Sequence, residues 1–166
     1  PKGVVVFLHG QGLGLHLYDL DTNPFIERGF CFAAFNQRAT AGTPGTYTYV
    51  GSAEDAFRVS DSIQRELGKT QLPVYLVAHS ASNLGILFSA TEGLRTPEAL
   101  CSVCPCMKSN YFAHNKNYTY KKNGMNGFEV WMRQFQTDEE TLNNLRSLYS
   151  DPSWICHPEW IETRFK

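Results

Sequence analysis

No apolar run in this 166-residue sequence approaches the roughly 20 residues that a helix needs to cross a bilayer. Charge of neither sign dominates: 15 basic side chains stand against 16 acidic ones, for a formal net charge of −1. A nucleic-acid footprint would require a basic patch or stripe, and there is none. Nor is there a basic helix suited to a membrane surface. The N-terminus has no charged, apolar and small-residue segments in signal-peptide order. It has no initiator methionine either, and Pro1 leads almost directly into an apolar run. A sequence cut from a longer chain is expected, with any targeting segment upstream. Internal repeats and low-complexity tracts are absent. What remains, at 42% hydrophobic and 13% aromatic residues, is the composition of a globular domain with a sizeable core.

Cysteine is sparse and unpaired in number. Of the five, Cys31 and Cys101 fall within apolar runs, as small buried thiols do, and Cys101, Cys104 and Cys106 are bunched. This pattern favours a reducing compartment, cytoplasmic or cytosol-facing, over a disulfide framework. Cys101-x-x-Cys104-x-Cys106 could supply soft zinc ligands with His114 as a fourth. The spacing is irregular and no second C-x-x-C exists, so a strand end running into a loop is the plainer reading. No metal or other cofactor is expected.

Four short apolar runs, Val4–Leu8, Cys31–Phe35, Val74–Ala78 and Ala99–Val103, have the pattern of buried parallel strands. The clearest helix follows Gly51: Ser52 can cap it, Asp55 completes a capping-box pattern, and Ala56, Val59, Ile63 and Leu67 recur on one face. Gly68 supplies a stop. Strand–helix alternation of this kind implies an α/β fold with a mostly parallel sheet and crossover helices. Gly68-Lys69-Thr70 imitates the end of a phosphate-binding loop, but it precedes a strand and lacks the upstream glycine, so it is read as a turn. From Cys106 the pattern changes to a polar stretch and then three expected helices: Phe128–Phe135, one capped by Thr137 with Leu142, Leu145 and Leu148 on a face, and one opening at Pro158. The expected division is a core over residues 1–105 and a helical cap over 106–166.

The third apolar run ends in Ala78-His79-Ser80-Ala81-Ser82-Asn83 and passes at once into a helix-compatible segment, Leu84 to Ala90. A strand-to-helix turn with small residues around one serine is the layout of a nucleophile elbow, which lifts the hydroxyl clear of a sheet. An ordinary strand–turn–helix is the alternative. His9-Gly10-Gln11-Gly12 stands directly after the first strand. There the backbone N–H of Gln11 could face a substrate oxygen, with the N–H of Ala81 as second donor of an oxyanion hole. His9 and Gly10 are expected to support that loop, with His9 tying it down in preference to acting as a base.

These stretches resemble the α/β-hydrolases, and more narrowly their YheT-like branch, which includes the lung α/β-hydrolase proteins. The resemblance is carried by the first strand with His9-Gly10, by Phe35-Asn36-Gln37-Arg38-Ala39-Thr40-Ala41-Gly42-Thr43, similar to an F-N-x-R-G-x-G-G-S loop, and by the elbow with its trailing Asn83. Cys104-Pro105 resembles the point of cap insertion, and His157 to Phe165 a last cap helix. The chain departs from the pattern at Ala39, Ala41, Ala78 and Ser82, where glycines are usual, and in a spacing one residue shorter before Asn83.

The resemblance implies a partial hydrolase fold whose C-terminal strands are absent, and a triad in the order Ser, acid, His. Asp151 and His157 follow Ser80 in that order, but only a short Pro152-containing interval separates them, so a turn-capping aspartate and a surface histidine are the expected roles. His79 points away from its neighbour Ser80, and His16 and His114 belong to loops. The acid and base are therefore expected beyond Lys166. The first functional expectation is a serine hydrolase of carboxylic esters, with acyl lipids as one candidate substrate and Tyr111, Phe112, Trp131 and Phe135 available to form an acyl pocket. The second is a non-catalytic relative that binds a ligand or partner in the same cleft. A zinc-binding interaction module is the third. A sheet ending at its fourth strand exposes an edge, so poor solubility is expected of this segment expressed alone.

Overall fold

The computed structural model describes residues 1–10, 14–45, 49–91 and 95–105. Gln11 and Gly12 lie outside these. So does everything expected of residues 106–166: the cap helices, the aromatic pocket, Cys106, His114, Asp151 and His157.

Four strands form one parallel sheet: β1 (Val4–Leu8), β2 (Cys31–Ala34), β3 (Val74–His79) and β4 (Ala99–Val103). Each coincides with one of the four apolar runs to within a residue at either end, because a continuous β-branched or aromatic stretch closed off by polar and turn residues has few other solutions. The fold is α/β. The spatial order is β2-β1-β3-β4, so the chain leaves β1 towards one side and returns to the other. At such a reversal, here at the carboxyl ends of β1 and β3, open α/β sheets form the crevice in which they hold ligands.

Two helices complete the described core, α2 (Tyr49–Glu66) and α3 (Ser82–Thr91). Among the described residues, the β1–β2 connection contains a single 3-10 turn (Leu15–Leu17) and the one-turn helix α1 (Asn23–Ile26). Val4, Val6 and Leu8 from β1 pack with Val74, Leu76 and Ala78 from β3 against Ala53, Ala56 and Phe57 of α2 and Ile86 of α3. Alternate residues Phe7 and His79 face Tyr18 on the opposite side. Gly85 is where α3 crosses the start of α2. A Cβ there would overlap the Tyr49 carbonyl oxygen and stand 2.9 Å from its carbon, so only glycine permits this approach.

Several sequence expectations are corrected. Ser52 does not cap α2; the helix begins at Tyr49, and Ser52 is a buried residue of its first turn. The S-x-x-D pattern is satisfied by tertiary bonds instead, Ser52 to Gln37 and Asp55 to Arg38. Leu67 is exposed because α2 has already ended; Gly68, at φ +62°, stops it, with the Lys69 N–H returning to the Gln64 carbonyl. Strand β4 is mostly exposed, since it pairs only with β3 in the described sheet. Cys101 on it is therefore exposed as well, and Cys31 is only half-buried. Among the described residues no helix is long and apolar enough to cross a membrane, and no cluster of metal-ligating side chains forms.

Candidate active site

Ser80 follows the last residue of β3 and stands two positions before α3, with φ at +55°. For a residue with a Cβ the left-handed region costs roughly 1–2 kcal/mol, and such strain persists only where surrounding bonds enforce it. They do so here. The Ser80 N–H donates to the Val103 carbonyl at 2.9 Å, and the Asn83 side chain donates to the carbonyls of Ala78 (3.0 Å) and Ser80 (2.9 Å), spanning the turn from within. The Ser80 hydroxyl makes no hydrogen bond among the described residues. Beside it the Ala81 N–H, at the positive end of α3, donates to no acceptor among them either.

Across the crevice, His9 ends up fully buried with both ring nitrogens committed. Its Nε2 accepts the Gln37 backbone N–H at 3.0 Å, so the proton sits on Nδ1 and is donated to the Gly10 carbonyl at 2.8 Å. Burial, chiefly, holds its pKa down at about 4. A neutral imidazole whose lone pair is already used has no capacity to take a proton from Ser80.

Gly10, expected only to support the loop, donates its N–H to the Tyr18 hydroxyl oxygen at 2.8 Å. That hydroxyl donates in turn to His79 Nδ1 at 2.7 Å. His79 thus points to the far side of the sheet and not at Ser80, and burial lowers its pKa. Burial raises that of Tyr18, against the smaller opposing effect of the Gly10 N–H. His16 is exposed on the 3-10 turn. None of the three described histidines bonds the Ser80 hydroxyl.

Sequence reasoning missed Gln37. It is fully buried; its side-chain amide donates to the His9 carbonyl at 2.6 Å and to Ser82 Oγ at 3.1 Å, and its carbonyl accepts the Ser52 hydroxyl. Ser82 donates to the same His9 carbonyl at 2.6 Å. The only signal available was position, since Gln37 is the variable residue of the F-N-x-R stretch and its partners lie far away in sequence.

The loop after β2 is pinned by Arg38, whose guanidinium grips Asp55 through two bonds of 2.7 and 2.6 Å, with Glu54 at 3.9 Å. Those bonds raise the Arg38 pKa further. Ala39 and Ala41, which stand where the resembling loop has glycines, take φ of 57° and 48°. The backbone keeps the glycine-like shape and the alanines carry the strain. A cleft of 430 Å³ opens beside this loop between Asn36, Arg38, Thr43, Asp55 and Arg58; neither Ser80 nor His9 lines it.

No protein-family model matches the chain, and no curated protein matches its sequence. Similar solved structures include a Staphylococcus aureus protein of unknown function (TM-score 0.50, 16% identity, 98% of this chain and 66% of that one). Others are a monoacylglycerol lipase of Paleococcus ferrophilus (0.49, 19%, 95% and 72%) and an esterase of Pyrococcus furiosus (0.49, 19%, 88% and 58%). At such identities the likeness is one of fold. The chain spans between 58% and 72% of the lengths of these three structures.

Proposed function

We propose that the protein is a serine hydrolase of the α/β-hydrolase type, acting on carboxylic esters through Ser80. The observation that carries this reading is the left-handed backbone of Ser80, at φ +55° between a parallel strand and a helix N-terminus. A non-glycine residue held there by three hydrogen bonds is costly, and exposing a nucleophile is what such a turn accomplishes. The position agrees: Ser80 follows β3 at the sheet's reversal point, next to the carboxyl end of β1.

In this reading Ser80 Oγ attacks the ester carbonyl, its proton passes to a histidine base, and the carbonyl oxygen becomes an oxyanion. The Ala81 N–H and the Gln11 N–H receive that charge; removing one such donor typically raises the barrier by ~3 kcal/mol. The tetrahedral adduct collapses to an acyl-enzyme with release of the alcohol, and water then frees the acid. The base and its orienting acid belong to sequence outside the described residues. The F-N-x-R loop pinned by Arg38–Asp55 and the His9-Gly10 turn favour the YheT-like branch, and acyl lipids are one substrate class to try. The test is hydrolysis of a p-nitrophenyl ester series of increasing acyl length by the intact protein and by Ser80→Ala. Turnover lost in the variant supports the reading, and equal turnover in both removes Ser80 from it.

One observation favours a second reading, a non-catalytic relative binding a ligand in the same crevice: no base reaches the Ser80 hydroxyl among the described residues. It predicts ligand binding without turnover.

A further inference from the structure

Ser82 occupies a place where the elbow motif has glycine, and its hydroxyl is not idle. We propose that Ser82 and Gln37 are positioning residues that lock the His9–Gly10 peptide unit, and so the start of the loop that follows β1. The inference rests on the acyl-transfer reading for its catalytic consequence, though not for the lock itself.

The peptide unit between His9 and Gly10 is planar, so fixing its two polar ends fixes its orientation. Its carbonyl oxygen receives two donors, Gln37 Nε2 at 2.6 Å and Ser82 Oγ at 2.6 Å. Its N–H, on Gly10, is taken by the Tyr18 oxygen at 2.8 Å. Gln37 Nε2 also donates to Ser82 Oγ, so the two side chains brace each other, and Ser52 from α2 holds the far end of the Gln37 amide. The next carbonyl along, that of Gly10, is held by His9 Nδ1.

His9, Gln37, Ser52 and Ser82 are all fully buried. A bond lost among them therefore goes unreplaced by water. Ser82 is the first residue of α3 and lies two positions after Ser80. The lock consequently couples the elbow directly to the loop after β1, the two places from which the proposed oxyanion donors come. Donors of that kind accelerate a reaction only when held in place beforehand.

Restoring the motif glycine should then impair the protein, the reverse of what the motif implies. The test compares second-order labelling by a fluorophosphonate in intact wild type, Ser82→Gly, Ser82→Ala and Tyr18→Phe. Thermal melts and amide hydrogen exchange at Gly10 accompany the rates. The expected result is labelling about tenfold slower in each variant, with the p-nitrophenyl ester KM nearly unchanged and kcat reduced, and faster exchange at Gly10 in both Ser82 variants. Labelling and Gly10 exchange equal to wild type in a folded Ser82→Gly would overturn the proposal. Wild type that never labels removes the acyl-transfer reading and the catalytic consequence with it. The lock is then decided by Gly10 exchange alone, where unchanged protection in Ser82→Gly refutes it.

Discussion

The Ser80 N–H donates to the Val103 carbonyl across 2.9 Å, which ties the tip of the turn after β3 to the end of β4. The nucleophile candidate is thus anchored by the most exposed strand of the described sheet, and Cys104, immediately beyond, itself takes φ +43°. Two consecutive strand ends leave the sheet in left-handed turns and are joined to each other there. With Asn83 bracing the inside of the first turn, the strain at Ser80 is held from both sides.

That strain is measurable as stability. Ser80→Gly should raise the unfolding free energy by about 1 kcal/mol over Ser80→Ala, because glycine occupies φ +55° without a Cβ penalty while alanine retains it. Urea unfolding of the two variants checks this, and equal midpoints would mean that the turn stores no strain. The same comparison applies to Ala41→Gly, at φ 48° on an exposed site where little packing is lost.

Asn83→Asp is expected to destabilise by about 2–3 kcal/mol. The substitution is nearly isosteric, yet it replaces two donated bonds, to the Ala78 and Ser80 carbonyls, with a buried carboxylate facing those oxygens. Thermal melts near neutral pH read the loss, which should shrink in acid as the new carboxyl protonates.

Gly85→Ala should cost about 1–3 kcal/mol through forced separation of α2 and α3. The contact is with the backbone at Tyr49, so no side chain can rotate aside. A calorimetric melt equal to that of wild type would show that the helices do not approach as closely as described.

Stability should fall as pH falls from 6.5 to 4. The unfolded chain takes up a proton on His9 near its ordinary value of 6.5, whereas the folded chain does so only at about 4. Between those limits the unfolded state binds more protons, so the contribution is complete above 6.5 and lost by about 4. Its size is about 3 kcal/mol. His79, also lowered by burial, acts in the same direction. Denaturant titrations at pH 7, 5.5 and 4 measure the slope, and His9→Asn should flatten much of it.

How far the sequence could be read follows from how local each signal is. The strands were legible because each is a closed apolar run, and the strand-to-helix turn at Ser80 because small residues around one serine follow such a run. The left-handed backbone at Ala39 and Ala41 was not legible, because alanine itself gives no sign of a positive φ. The start of α2 was misplaced because Ser52 and Asp55 form a capping pattern by sequence while their partners, Gln37 and Arg38, come from the loop after β2. The Gln37–Ser82–His9 bonds were invisible for the same reason, since each joins residues from different strand ends. Exposure on β4 depends on how many neighbours flank a strand, which no periodicity within that strand encodes.

The central claim is that Ser80 is an activated nucleophile. Its most direct test is fluorophosphonate labelling of the intact protein followed by mass-spectrometric mapping of the adduct. The account predicts a single adduct on the peptide containing Ser80, abolished in Ser80→Ala while the melting curve stays the same. A folded wild type that takes up no label, or carries it on another residue, would contradict it.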